Sequence, residues 1–386
     1  MNKKLGYYVS NGIEFESKLQ ALMYANFAKK PVEWVFNNNV FDNYTWTDEP
    51  DLTIDQLYDI RSRQIREEYD YVILSFSGGS DSNNILESFL RQGLHIDEVV
   101  TNWALDASES FIVHDKNQRS TWNNVAEFKL NTVDRLNYIR NKSPRTKITV
   151  LDTSRALVDS FIRANDESWV ENKREVLNAN GASNYNFVHF KEVRKTFDRN
   201  FKIALVMGLD KPKLKIVDNN LYLYFLDKIA NIISIQDHIQ EYPNANTIYY
   251  YWAPESCAIL AKQAHIMRKF LQQNIQYQGA FSLEAASNFE SRRVTEELMK
   301  RIIYTNWNPE WFQAFKSTKD WDNELDYWFS RGWAGTKEYE IWKRGLAHVA
   351  QRIPNFLLHE KDGSIRGTQS FHSRDYYIGP VNQTSL

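Results

Sequence analysis

The residues best suited to chemistry lie within one short stretch, Leu74-Ser75-Phe76-Ser77-Gly78-Gly79-Ser80-Asp81-Ser82. Two adjacent glycines let the backbone take positive φ and approach an anion with no Cβ in the way. If a helix follows, its first-turn amides converge on the same spot, where the helix dipole favours negative charge. Ser77 and Ser82 add hydroxyl donors for phosphate oxygens. Asp81 cannot attract phosphate directly, so its sensible role is to hold a Mg²⁺ ion that bridges carboxylate and anion. The bland alternative is a strand–turn–helix joint in which Asp81 or Ser82 caps the helix. No Gly-Lys-Ser/Thr follows, so this is not the Walker pattern.

The surrounding elements favour the phosphate reading. Tyr71 to Phe76 is a short apolar run, the mark of a strand buried on both faces, and a helix is expected from about Asn83 to Arg91. Further strands are expected at Ile96–Trp103, Lys147–Leu151 and Ile203–Met207, with a helix carrying Val125, Phe128, Val133, Leu136 and Ile139 between the second and third. Alternating strands and helices predict an α/β fold with a doubly wound, mostly parallel sheet, whose ligand crevice lies at the carboxyl ends of the strands. A hairpin is expected over Leu214–Phe225, turning at Asp218-Asn219-Asn220. Residues 1–70 read as a small elaboration with helices near Lys18–Ala25 and Leu57–Tyr69. Residues 71–240 read as the α/β domain that carries the phosphate-binding turn, and 241–386 as a mostly helical C-terminal region.

The string resembles the SGGxDS motif of the PP-loop ATP pyrophosphatases, whose members include the synthetase domains of asparagine, GMP and NAD synthetases and tRNA-lysidine synthetase. The match covers the strand, turn and helix from Tyr71 to Arg91, and the wider layout is similar to PP-loop proteins of phages. The resemblance implies an adenine nucleotide alpha hydrolase-like fold and ATP with Mg²⁺ as cofactors. It also implies AMP-forming ligase chemistry, in which a carboxylate or carbonyl is adenylated and then attacked by an amine or ammonia. It assigns Ser75, Ser77, Gly78, Gly79, Ser80, Asp81 and Ser82 to the nucleotide, with Asp81 also catalytic and metal-binding. Asn102, and the Trp103-Ala104-Leu105-Asp106 stretch after it, fall where adenine packs in that family. Gly208-Leu209-Asp210-Lys211, after the fourth strand, is similar in part to the Gly-Thr-Asp-Asn-Lys region of NAD synthetases. It offers Gly208 to the nucleotide, Asp210 to the metal and Lys211 to catalysis. A solvated polar turn is the alternative there.

Other side chains carry weaker signals. Lys262, Gln263, His265 and Arg268 could face substrate from one helix, as could Arg292, Arg293 and Arg301, but a solvated helix face is the ordinary reading. His265, between apolar neighbours, reads as a packed histidine. The tail from Arg366 to Arg374, with His372, offers nothing diagnostic.

Composition narrows the function. The chain has 386 residues, 42% hydrophobic and 25% charged, with one cysteine, Cys257. A single cysteine excludes an intramolecular disulfide, a cysteine zinc cluster and a CxxC redox pair, and with them the sulfur-transferring branches of the resembled family. No glutaminase nucleophile stands at position 2, which is Asn2. Cys257 opens an apolar helical stretch and reads as a buried thiol. The net charge of −2 argues against a surface that tracks nucleic acid throughout, though not against a local basic stripe beside the phosphate site. No apolar run approaches the ~20 residues of a membrane span, and a cytoplasmic location is expected. The expected partners are ATP and a small-molecule or nucleobase acceptor, and a homo-oligomer is compatible with the sequence. Two other readings stand beside the ligase: an ATP-binding module without turnover that acts as an interaction factor, and a nucleic-acid or tRNA-modifying ligase.

Overall fold

The computed structural model describes residues 6–103, 105–106, 128–152, 154, 158–159, 166–167, 189–190, 192–198, 200–209, 211–227, 244–287, 289–308, 324–359 and 361–382. At the N-terminus, β1 (Gly6–Ser10), β2 (Ile13–Phe15) and β3 (Glu33–Phe36) form an antiparallel sheet in the order β2-β1-β3. With it go α1 (Lys18–Ala28), α2 (Asn38–Phe41) and α3 (Ile54–Glu68). Helix α3 begins at a reciprocal capping box between Thr53 and Gln56, which satisfies two orphan amides.

The centre is a five-stranded, all-parallel sheet of β4 (Tyr71–Ser75), β5 (Glu98–Trp103), β6 (Lys147–Asp152), β7 (Ile203–Met207) and β10 (Ala245–Tyr249). Between them in sequence lie α4 (Ser80–Leu90), α5 (Val133–Lys142) and a hairpin of β8 (Lys213–Val217) and β9 (Asn220–Tyr224). The spatial order is β10-β7-β4-β5-β6. Numbered along the chain this is 5-4-1-2-3, so the winding reverses beside β4, the position where doubly wound sheets open a crevice. Every residue of β7, Ile-Ala-Leu-Val-Met, is buried, as a strand covered on both faces requires. Each such Ile, Leu or Val contributes about 1.5–3 kcal/mol relative to exposure.

Beyond β10 come α6 (Cys257–Gln273), α7 (Leu283–Ser287), α8 (Phe289–Ile303), α9 (Glu324–Gly332) and α10 (Lys337–Arg352). The short pair β11 (Leu357–His359) and β12 (Ile365–Thr368) follows, then β13 (Tyr376–Pro380). Strand β13 pairs antiparallel with β9, so the end of the chain completes a β13-β9-β8 sheet. The expected hairpin turns at Asp218 and Asn219, both at positive φ (48° and 62°), where short polar side chains tolerate the left-handed region.

The expected divisions at 70 and 240 do not coincide with breaks in packing. Helix α3 is bound to the central unit by Tyr58 Oη donating to Ile303 O, by Arg61 pairing with Glu255 at 3.0 Å, and by Ser62, which shares a buried hydroxyl cluster with Ser88 and Tyr250. Strand β10 lies past residue 240 yet forms one edge of the central sheet. Its Ala-Asn-Thr-Ile-Tyr sequence alternates too weakly to stand out from the polar break before it.

Candidate functional site

The turn after β4 sits where the winding reverses. Phe76 continues the ladder by donating its amide to Val100 O at 2.8 Å, and the chain then leaves the sheet. Gly78 has φ +77°, and a Cβ there would lie 3.0 Å from Thr132 Oγ1 and 3.1 Å from Asn131 Nδ2, so both conformation and space call for glycine. Gly79 is extended, with φ −72° and ψ 173°. Only one of the two glycines therefore uses the left-handed freedom that the sequence suggested for both. Helix α4 starts at Ser80, three residues earlier than expected. No side chain caps it, so the first-turn amides of Ser80, Asp81 and Ser82 keep the character of an open helix N-terminus.

The hydroxyls shape the loop itself. Ser82 Oγ accepts from Ser77 N at 3.3 Å and donates to Gly79 O at 3.3 Å, while Ser77 Oγ accepts from Gly79 N at 3.2 Å. Two amides of the turn are thus engaged at the long end of hydrogen-bond range. The role expected for these serines, donation to phosphate, is open to Ser77, which is exposed and whose own proton is not used in that contact. Ser82 is buried inside the turn. Ser75 is the half-buried last residue of β4.

From behind, the turn is clamped by a π-helical segment, Phe128–Thr132. Asn131 Nδ2 donates to Gly78 O at 2.6 Å and Thr132 Oγ1 to Ser77 O at 2.7 Å. The carbonyls of Ser77 and Gly78 are thus both taken up by side chains of this segment. Such π-helical turns recur at functional sites.

The second expected edge arrives from β7. A Cβ on Gly208 would stand 3.0 Å from Ser82 N and 3.2 Å from the carbonyl carbon of Asp81, so β7 leaves the sheet directly against the first turn of α4. Lys211, 2% exposed, places Nζ 3.3 Å from Asp81 Oδ1 and 3.5 Å from Oδ2. The structure thus brings Gly208, Asp81 and Lys211 together. Asp210, the other expected metal ligand, lies outside the described residues, as do Ala104 and Val125. Among the described residues no group of three His, Cys, Asp or Glu side chains converges to hold a metal.

Two tyrosines that the sequence did not single out complete the surroundings of Asp81. Tyr304, just after α8, donates its hydroxyl to Asp81 Oδ1, and Tyr251, just after β10, donates to Asp81 O at 2.8 Å. Asn84 Nδ2 donates in turn to the Tyr251 hydroxyl at 3.1 Å. Burial first, and then the Asp81 charge among their neighbours, push both phenols well above their ordinary range, so they stay protonated donors. The run Tyr249-Tyr250-Tyr251-Trp252 at the end of β10 was the available signal, visible once that segment is recognised as a strand.

The remaining expectations fall elsewhere. Asn102 lies on β5 two residues past the Val100–Ser75 pairing, at the same carboxyl edge. Trp103 stacks on Phe128, with centroids 4.2 Å apart and planes at 7°, and so braces the segment that clamps the turn. Leu105 N donates to Asp152 Oδ1 at 3.1 Å, and Asp106 is exposed.

The four α6 side chains singled out in the sequence face other parts of the protein. Lys262 pairs with Glu49 at 2.7 Å, Gln263 donates to the Tyr58 hydroxyl at 2.9 Å, His265 Nε2 lies 3.0 Å from Trp46 O, and Arg268 donates to Pro380 O at 3.0 Å. They tie the N-terminal segment and β13 to the core, and burial holds the His265 ring below its ordinary pKa. Cys257 is buried at the start of α6, with its thiol pushed up to about 11 by that burial. Arg292 is half-buried on α8 and Arg301 exposed, whereas the Arg293 and Arg366 side chains are outside the described set. His372 stacks on Tyr224 with centroids 5.2 Å apart. Among the described residues no helix is long and apolar enough to cross a membrane.

The site belongs to an α/β protein with a five-stranded parallel sheet and a glycine-bearing turn at its winding reversal. Compared with known proteins, the chain matches no family model and no curated protein.

Proposed function

We propose that this chain is a PP-loop ATP pyrophosphatase-type ligase of the adenine nucleotide alpha hydrolase-like fold. It binds ATP on the Ser77–Ser82 turn and cleaves it between the α- and β-phosphates. The observation that carries the reading is the meeting of that turn with Gly208 and Lys211 at the reversal of a 3-2-1-4-5 parallel sheet. An acceptor oxygen attacks the α-phosphorus, the bridging α–β P–O bond breaks, and its electron pair leaves with pyrophosphate. An amine then attacks the adenylated carbon, AMP departs with the C–O electron pair, and the amine loses a proton to solvent.

The side chains divide this work. First-turn amides of α4 receive phosphate oxygens, and Lys211 carries a fixed positive charge beside them for the charge that grows on the leaving pyrophosphate. Tyr304 and Tyr251 fix the orientation of Asp81. Asp81 is the carboxylate at the turn that would hold Mg²⁺, an ion that takes one or two carboxylates and completes its shell with water and phosphate oxygens, once its Oδ1 gives up Lys211 and Tyr304. When bound, it would neutralise phosphate charge. The Asp81 carboxylate already accepts from both Lys211 and Tyr304, and this favours a second reading, an ATP-binding module without turnover.

Incubation with α-labelled ATP over a panel of acids and amines separates the readings. Labelled AMP with pyrophosphate, lost in Asp81→Ala, is the expected outcome. ADP and phosphate would refute the ligase, and ATP binding without AMP under every condition would favour the module.

A further inference from the structure

Strand β8 carries cations where a buried strand ordinarily carries aliphatics. Lys213 and Lys215 alternate on one face, with Lys211 two residues upstream at the turn, so successive side chains leave the backbone about 7 Å apart. The three residues are 2%, 8% and 8% exposed. Carboxylates stand against all three: Lys211 with Asp81 at 3.3 Å, Lys213 with Glu296 at 2.7 Å and Lys215 with Asp375 at 2.7 Å.

The pairs are asymmetric in depth. The lysine side chains are 3%, 9% and 10% exposed, and their carboxylates 25%, 30% and 41%. Cations therefore form a floor and acids a rim that faces water. A buried ion pair is a poor source of stability compared with apolar residues of similar volume, so structural need alone does not account for two such lysines on one strand.

The surroundings extend the charge. Lys215 Nζ lies 5.0 Å from the centroid of Tyr224, on which His372 stacks. At the far end Asp375 also lines a cavity of about 480 Å³ walled by Tyr44, Trp46, Tyr376 and Tyr377. The three lysines thus follow one another from Asp81 at the turn to Asp375, whose carboxylate also borders the aromatic pocket.

We propose that Lys213 and Lys215 form the acceptor's anion subsite, and that the acceptor is an elongated molecule bearing at least two oxyanions, phosphates or carboxylates. On entry these groups take the places of the Glu296 and Asp375 carboxylates, while Lys211 remains with the nucleotide. The proposal rests on the reading of the Ser77–Ser82 turn as the site of ATP activation.

The test titrates the full chain calorimetrically at low salt, with excess α,β-methylene-ATP to occupy the turn. The two probes are citrate for carboxylates and 5′-phosphorylated trithymidylate for phosphates. At least one binds, and the probe preferred names the source of the oxyanions. The pair Lys213→Gln and Lys215→Gln weakens it about tenfold or more. Glu296→Gln and Asp375→Asn each tighten it severalfold, because they remove the resident competitor. Rim variants that weaken binding or leave it unchanged would overturn the proposal, as would failure of both probes to bind. If the lysine variants do not fold, the sign of the Glu296→Gln effect decides. Probe binding with these signs but no AMP from ATP would remove the ligase and leave the anion subsite. AMP formation with neither probe bound would remove the subsite alone.

Discussion

The turn after β4 and the segment that leads from β7 into β8 meet at Asp81, through Lys211, and are built by opposite means. The turn is built from backbone, with one left-handed glycine, two carbonyls pinned by Asn131 and Thr132, and hydroxyls folded back on their own loop. The segment into β8 carries three buried lysines, Lys211, Lys213 and Lys215. Backbone amides recognise by fixed geometry, so small steric changes should disable the turn. Ammonium groups recognise by charge, so at Lys211 the loss of charge should matter and a change of shape should matter less.

Lys211→Met gives the largest effect on that reasoning. Removing a fixed donor aimed at developing charge costs about 10²–10³-fold in turnover. The rate of AMP formation should fall by that order, with ATP affinity changed much less, and Lys211→Arg should recover part of it. An equal loss in the arginine variant would mean that Lys211 acts through shape, and the contrast between the two regions would dissolve.

Gly78→Ala tests the other half. A left-handed alanine costs about 1–2 kcal/mol before contacts are counted. The new methyl would also press on Thr132 Oγ1 at 3.0 Å and on the Thr132 backbone at 3.1 Å. ATP binding should weaken about tenfold and the melting temperature should fall. Gly208→Ala is expected to do less, about 1–2 kcal/mol, because its φ is unstrained and the cost is overpacking against Ser82 N and the Ile85 side chain. Denaturant melts of the two variants beside ATP titrations would show whether β7 is held as tightly to α4 as the contact distances imply.

These contrasts explain what could be read from the sequence. The turn was legible because its rules are local: glycine, small hydroxyls and a strand before a helix within a dozen residues. The parallel sheet was legible for the same reason, from apolar runs such as Ile203–Met207. The clamp and the tyrosines were not, because Asn131, Thr132, Tyr251 and Tyr304 act across separations of 53 to 223 residues. Nothing in the spacing of a tyrosine tells which carboxylate it will meet. The polar side chains of α6 failed for a related reason. Lys262 and Arg268 look like a solvated helix face until Glu49 and Pro380 arrive to cover them.

The smallest effect at the site itself should come from Glu98, which serves as a control on the scaffold. Its side chain lies on β5, fully buried, and its pKa reflects a balance. Burial raises it, but hydrogen bonds from His189 and Thr149, with the charges of His189 and Lys147, outweigh burial and bring it down to about 2 from an ordinary 4.5. A carboxyl lowered on folding contributes stability that is present above its unfolded value and is lost as pH falls through the folded one. The stabilisation from this group should therefore be present above about pH 4.5 and be lost as pH falls toward about 2, by up to about 3 kcal/mol. Glu98→Gln should be less stable at pH 7 and lose most of that slope, while ATP affinity at neutral pH stays within about twofold. If the variant instead loses ATP binding at neutral pH, then β5 transmits its packing to the turn through Trp103 and Phe128. The turn would then depend on side-chain contacts as much as the lysine strand does.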